Sequence, residues 1–123
     1  MGVSNNECVI ATILVDGDEL DKVKKWVAAL SPKQQSLFAF IVGFKTSVVT
    51  VFMAPCGDKK GHDEDIEATA LREDFITLLK SFDDEEDGGW NPFKWIEVGY
   101  GEYGQKVLRG NCGECVGPYL DDQ

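Results

Sequence analysis

A chain of 123 residues has the length of one domain, and 43% hydrophobic residues with thirteen aromatics are typical of a folded core. The net charge of −10 is unevenly spread. Residues 1–60 carry seven lysines and six acidic residues, whereas residues 61–123 carry five basic and sixteen acidic residues. This balance disfavours direct binding to nucleic acid or to an anionic membrane, because both need clustered lysine and arginine.

We therefore expect a single domain over residues 1–123, with flexible ends at 1–7 and 116–123. No apolar run approaches twenty residues, and residues 8–15 are too short and too far into the chain to be a signal segment. These features predict a cytoplasmic protein. In that reducing compartment, four cysteines are more often free or metal-bound than disulfide-bonded.

The first half of the chain predicts a strand, a helix and a hairpin. Residues 8–15 form a nearly continuous apolar run rich in β-branched residues, typical of a central strand buried on both faces, with Cys8 packed as a small hydrophobe. After Asp16-Gly17, Asp18 can cap a helix that ends at Ser31-Pro32 and has the apolar stripe Leu20, Val23, Val27 and Leu30. Residues 37–44 and 48–54 then predict two antiparallel strands joined by a short link.

The second half predicts one more helix and two strands. A helix beginning near Asp63 or Asp65 has the apolar residues Leu71, Phe75, Leu78 and Phe82 at helical spacing. Residues 83–87 are all acidic, so they oppose the dipole at a helix C-terminus and predict a solvated loop. Residues 93–100 predict a strand, and residues 105–109 predict a short edge strand that pairs back on it.

This order predicts an α+β fold of the two-layer sandwich type. Both helices would cover one face of an antiparallel sheet in a split β-α-β (ferredoxin-like) arrangement, with an extra C-terminal edge strand. The strand order expected for it is 4-1-3-2, with the extra strand beside the fourth. A sheet covered on one side can dimerise through the other, so a homodimer is an alternative to a monomer.

Three cysteines and the single histidine suggest a zinc site. Thiolate and imidazole are preferred zinc ligands, and the candidate ligands are Cys56, His62, Cys112 and Cys115. The expected strand order separates the loop at 56–62 from the tail at 112–115. We therefore favour free cysteines and no cofactor, with zinc or a disulfide between Cys112 and Cys115 as alternatives.

Catalytic signatures are missing from the sequence. It contains no G-x-S-x-G, H-E-x-x-H, phosphate-binding loop or dinucleotide fingerprint. The acidic group at 63–65, beside His62, is explained by its position in the first turn of a helix. We expect that the protein is not an enzyme.

The acidic run and the aromatic residues near it predict a partner-binding surface. Carboxylates can occupy the basic groove of a nucleic-acid-binding protein, and tryptophan and tyrosine are the usual interface anchors. The predicted contact residues are Asp83, Asp84, Glu85, Glu86, Asp87, Trp90, Trp95, Glu97, Tyr100, Glu102 and Tyr103.

Three stretches, "VTVFMAPCGDKKGH", "LREDFITLL" and "WIEVGYGEYG", resemble small phage and prophage proteins of unknown function over residues 48–104. The resemblance implies a setting of host takeover or evasion of host defence in a bacterial cytoplasm. In that setting, small acidic proteins act as stoichiometric inhibitors. The cysteines at 56, 112 and 115 are not part of the shared pattern.

The favoured hypothesis is a non-enzymatic acidic protein-binding module, encoded by a phage or mobile element. It would inhibit or modulate a host protein that has a basic surface, without binding nucleic acid or a membrane itself. Two alternatives remain open: a zinc-stabilised structural or regulatory domain, and a dimeric α+β domain that senses a small molecule.

Overall fold

The computed structural model describes residues 5–44, 47–83, 93–101 and 104–111. These residues form five strands and three helices in the order β1 (Asn5–Leu14), α1 (Asp18–Ala28), α2 (Pro32–Gln35), β2 (Phe38–Val42), β3 (Val48–Met53), α3 (Asp63–Asp83), β4 (Lys94–Gly101) and β5 (Gly104–Gly110).

The five strands form one antiparallel sheet in the order β2-β3-β1-β4-β5. The α+β class and the central position of β1 are therefore confirmed. The additional C-terminal strand pairs with β4 at one edge of the sheet, as the sequence predicts, while β2 forms the other edge.

The long helices α1 and α3 cover one face of the sheet. Acidic residues occupy the first turn of each helix and a lysine the last, which suits the helix dipole. Their buried residues join those of β1, β3 and β4 in one core, in which Phe75 is fully buried. Trp26 and Phe38 contact the Phe75 ring at centroid distances of 5.4 and 5.2 Å. These ring contacts fix β2 against the helix layer.

The short helix α2 is absent from the sequence prediction. Ser31 accepts a hydrogen bond from the backbone N–H of Gln34, and the Gln34 side chain accepts one from Ser31 N–H. This reciprocal capping, with Pro32 at the first helical position, begins the turn. Ser31-Pro32 therefore ends α1 and also starts a new helix.

Strand β1 differs from the prediction in two ways. It begins at Asn5, so residues 5–7 belong to the sheet and not to a flexible end. It was also expected to be buried on both faces, but Ile10, Thr12 and Leu14 are only half-buried. Helices cover one side of β1 in the described structure, and the other side faces outward.

A β-bulge shapes the edge formed by β5. Glu97 pairs with Arg109 and Val98 pairs with Val107, which leaves Leu108 as the extra residue between them. The strand ends at Gly110, where a Cβ atom would lie 2.9 Å from the Trp95 carbonyl oxygen. This close approach of two backbones requires glycine.

Candidate functional site: the open face of the sheet

The sheet face opposite the helices is called the open face here. Side chains alternate between the two faces along each strand, and the pairing register shows which residues share the open face. Ile10, for example, lies between Phe52 of β3 and Ile96 of β4. Its apolar members on the five strands are Cys8, Ile10, Leu14, Ala39, Ile41, Val48, Phe52, Ile96, Val98, Tyr100 and Val107.

Several open-face side chains are well exposed. Val107 is 61% exposed, Ile41 54% and Tyr100 44%, and Ile10 and Phe52 in the middle are half-buried. The apolar surface extends from β2 at one edge to β5 at the other. Contiguous apolar surface of this kind marks interaction sites in folded proteins.

The open face carries almost no charge. Within the described strands it has no acidic side chain, and Lys94, which pairs with Thr12, is its single charged residue. The described residues as a whole contain thirteen acidic and eleven basic side chains, and all the acidic ones lie on the helix-covered side or in loops. Charge and apolar surface are therefore segregated to opposite sides of the sheet.

The helix-covered face contains a network of ion pairs that is buried at its centre, at Arg72 and Glu97, and partly exposed at its edge. Arg72 of α3 is 6% exposed and donates from Nε to Glu97 at 3.2 Å and from Nη2 to Glu7 at 2.6 Å. Arg109 of β5 donates from Nε to the other oxygen of Glu97 at 2.7 Å and from its terminal nitrogens to Glu73. The network connects α3 to β1, β4 and β5.

The ion pairs shift the pKa values of Glu73 and Arg109, the two more exposed residues of the network. Hydrogen bonds from Arg109 hold the pKa of Glu73 below its ordinary value. The same bonds to Glu73 and Glu97 raise the pKa of Arg109, which stays charged. On the opposite side of β1, burial raises the pKa of the Cys8 thiol, with a smaller opposing effect of Arg72. A protonated, buried Cys8 is a poor nucleophile.

Two of the predicted partner contacts need correction. Trp95 is 2% exposed because its ring lies in the core under the helices, and Glu97 is 3% exposed because two arginines enclose it. Neither side chain is available to a partner in this structure. Tyr100 lies on the open face and is exposed.

The other predicted contacts lie largely outside the described residues. Only the backbone of Asp83 is described, at the end of α3. Outside the described residues are Asp84, Glu85, Glu86, Asp87, Trp90, Glu102 and Tyr103. The prediction for the acidic run therefore stays a prediction. Sequence reasoning missed the other strand residues of the open face, although their alternation within β3 and β4 was a usable signal.

The candidate zinc ligands are only partly described. His62 Nδ1 lies 3.1 Å from Asp58 Oδ1, and Cys56 Sγ accepts a hydrogen bond from the Asp58 N–H at 3.4 Å. Across the described ranges, no three histidine, cysteine or acidic side chains come together as a metal site. Cys112 and Cys115 lie outside those ranges, so the four-ligand hypothesis stays a prediction.

A cleft of about 300 Å³ lies beside the ion network, at the end of the sheet where β4 turns into β5. Glu7, Gly99, Gly101, Lys106 and Leu108 contribute to its walls. Each buried polar side-chain atom of the described residues has a hydrogen-bonding partner. The cleft therefore offers no buried, unpaired polar group to recognise a ligand.

Comparison with known proteins gives no family assignment: no family model, curated protein or solved structure matches the chain. None of the helices in the described residues is long and apolar enough to cross a membrane.

Proposed function

We propose that this chain is a non-enzymatic protein-binding module and that the open face of its sheet is the contact surface. The observation that carries the proposal is the extended apolar face, free of acidic side chains in the described strands, on a chain of net charge −10. Burial of such a face against a partner is favourable by roughly 25 cal/mol per Å² of apolar surface.

The rigidity of the sheet supports this role. The central strand β1 pairs along most of its length with both β3 and β4. The packed core behind it holds the outward side chains in place. A preformed surface loses little conformational entropy on binding, which favours affinity.

The charge supports a positively charged partner. Nine of the 22 acidic residues lie outside the described side chains, at 83–87, 102, 114 and 121–122. They give the chain a strong negative field that accelerates encounter with a basic protein. We propose that the partner is a host protein with a basic, nucleic-acid-binding surface, which the module inhibits or modulates stoichiometrically in a bacterial cytoplasm.

We also propose a phage or mobile-element origin and a more specific architecture. The phage or mobile-element origin is supported by the sequence resemblance over residues 48–104. A split β-α-β (ferredoxin-like) architecture extended by β5 is supported by the alternation of strands and long helices and by the position of both long helices on one face.

The test is affinity capture from a bacterial lysate, quantified by mass spectrometry, with variants that charge the open face. Tyr100→Glu and Val107→Glu place carboxylates at exposed positions and should leave folding intact. Ile66→Glu is the matched control, because Ile66 is 58% exposed on α3, away from the open face.

Proteins that bind through the open face should be retained by the wild type and the Ile66→Glu control and lost by the other two variants. Retention should persist at high salt, while the association rate should fall as salt screens the negative field. Equal capture by all four proteins would contradict the proposal.

A further inference from the structure

The outer edge of β2 is a second apolar surface in the described structure. This edge strand runs from Phe38 to Val42, and the chain carries no charged residue from Leu37 to Phe44. Ile41 and Val42 are each 54% exposed, and Phe44 is fully exposed beyond the strand. A neutral, apolar edge is a template for pairing with another strand unless it is protected.

The hydrogen bonds of the hairpin show which backbone groups face outward. The Ala54 N–H donates to the Leu37 carbonyl at 2.8 Å, and the register continues through Phe38 opposite Met53. Antiparallel partners alternate between bonded and non-bonded pairs, so Ala39 and Ile41 direct their backbone groups to β3. Phe38, Phe40 and Val42 direct theirs to the outer edge.

The outward backbone groups of Phe38, Phe40 and Val42 can pair with the same groups of a second copy. In an antiparallel pairing of two β2 strands about a two-fold axis at Phe40, Phe40 meets Phe40 of the second copy and Phe38 meets Val42. The outward N–H and C=O groups of these residues then face one another across the axis. Every cross-strand pair is apolar, including Ala39 with Ile41, so no like charges are opposed.

The other edge of the sheet is protected. Strand β5 has a bulge opposite Glu97 and Val98, an exposed Lys106, and Gly104 in a left-handed conformation at φ 123°. Bulges and edge lysines oppose pairing with another strand. The sheet of the described residues thus has one edge that is free to pair, so two copies form a closed dimer and not a filament.

We propose that two copies of this chain pair through β2 to form a dimer with a continuous ten-stranded sheet. The Phe38 and Trp26 ring contact, with centroids 5.7 Å apart, holds β2 in place before pairing. The open faces of both copies remain accessible, so the dimer offers two partner-binding surfaces. Pairing through β2 leaves the open face uncovered and is therefore independent of the proposed function.

The pairing is small and is opposed by charge. Two five-residue strands bury on the order of 300 Å² of each copy, against about 800 Å² for a standard interface, which predicts a rapidly exchanging dimer of modest affinity. Each copy has a net charge of −10, so added salt should strengthen dimerisation. For a basic partner, in contrast, added salt should lower the rate of association.

The test is sedimentation equilibrium of the full chain from about 5 to 500 μM, at low and high salt. Val42→Pro removes an outward N–H without removing a β2–β3 hydrogen bond, and Val42→Thr is the matched control that keeps the N–H. Wild type and Val42→Thr should dimerise at the upper concentrations, and Val42→Pro should be monomeric.

Amide hydrogen exchange of the unmodified chain, read by NMR at low and high concentration, provides a readout that needs no variant. The amides of Phe38, Phe40 and Val42 should become protected only at high concentration, whereas those of Ala39 and Ile41 should be protected throughout. A monomer at every concentration, equal dimerisation of the two variants, or a dimer without this alternating protection would overturn the proposal.

Discussion

Replacing Glu97 by alanine should destabilise the protein strongly. Glu97 is 3% exposed and accepts hydrogen bonds from Arg72 and Arg109. Arg72 is itself buried, and among the described residues Glu7 is the one charged partner that it keeps after the substitution. Removing one partner of a buried ion pair costs about 3–5 kcal/mol, because the remaining charge is left without compensation.

The assay is urea and thermal denaturation of wild type, Glu97→Ala and Glu73→Ala. For a chain of this size about 1 kcal/mol corresponds to roughly 4 °C, so Glu97→Ala should lower the Tm by about 10–20 °C. Glu73→Ala is the matched control, because Glu73 pairs with the same Arg109 but is 53% exposed. Its cost should be about 1 kcal/mol or less.

The result that would refute this reasoning is equal destabilisation by the two substitutions. It would mean that burial does not distinguish the Glu97 pairs from the Glu73 pair. A loss below about 1 kcal/mol for Glu97→Ala would likewise show that Arg72 finds water or another acceptor in the folded state.

Three further predictions concern single positions. Because the pKa of Glu73 is lowered in the folded state, its contribution to stability is present above the ordinary glutamate pKa of about 4.3 and is lost as pH falls. The difference in stability between wild type and Glu73→Gln, measured by urea melts, should therefore vanish in acid. A difference that stays constant with pH would contradict this. Gly110→Ala should destabilise by about 1–3 kcal/mol in the same melts, because the new Cβ meets two backbone atoms of β4, whereas Gly43→Ala, with open space around it, should be neutral. Iodoacetamide at pH 8 should modify the half-buried Cys56 faster than the buried Cys8, as followed by peptide mass spectrometry, and equal rates would show that β1 does not protect its thiol.

The elements with strong periodicity were predictable from sequence. The stripe in α1 and the alternation in β3 encode burial directly, and Leu20, Val23, Val51 and Met53 are all buried. Helix α2 was not predicted, since Ser31-Pro32 indicates both the end of one helix and the start of the next. A Ser-Pro pair can be assigned to the end or the start of a helix only when the packing of the segments on either side is known.

The candidate site was harder to predict for a physical reason. The apolar run of β1 does not reveal whether its second face is covered by the same chain or by another molecule. Trp95 and Glu97 were predicted as interface residues from their types. Alternate residues of a strand face opposite sides of the sheet, and these two positions of β4 face the helices. Which side of the sheet a residue faces depends on the register of the neighbouring strands, and one sequence does not specify that register.

The central claim, that the open face binds a partner, is tested most directly by site-specific photo-cross-linking. A benzoyl-phenylalanine in place of Tyr100 on the open face is compared with the same residue in place of Ile66 on α3, in cells of a bacterial host. We predict a discrete cross-linked adduct from position 100 and none from position 66, and charging Val107 should abolish it. Adducts of equal yield from both positions, or an adduct from position 66 alone, would contradict the claim.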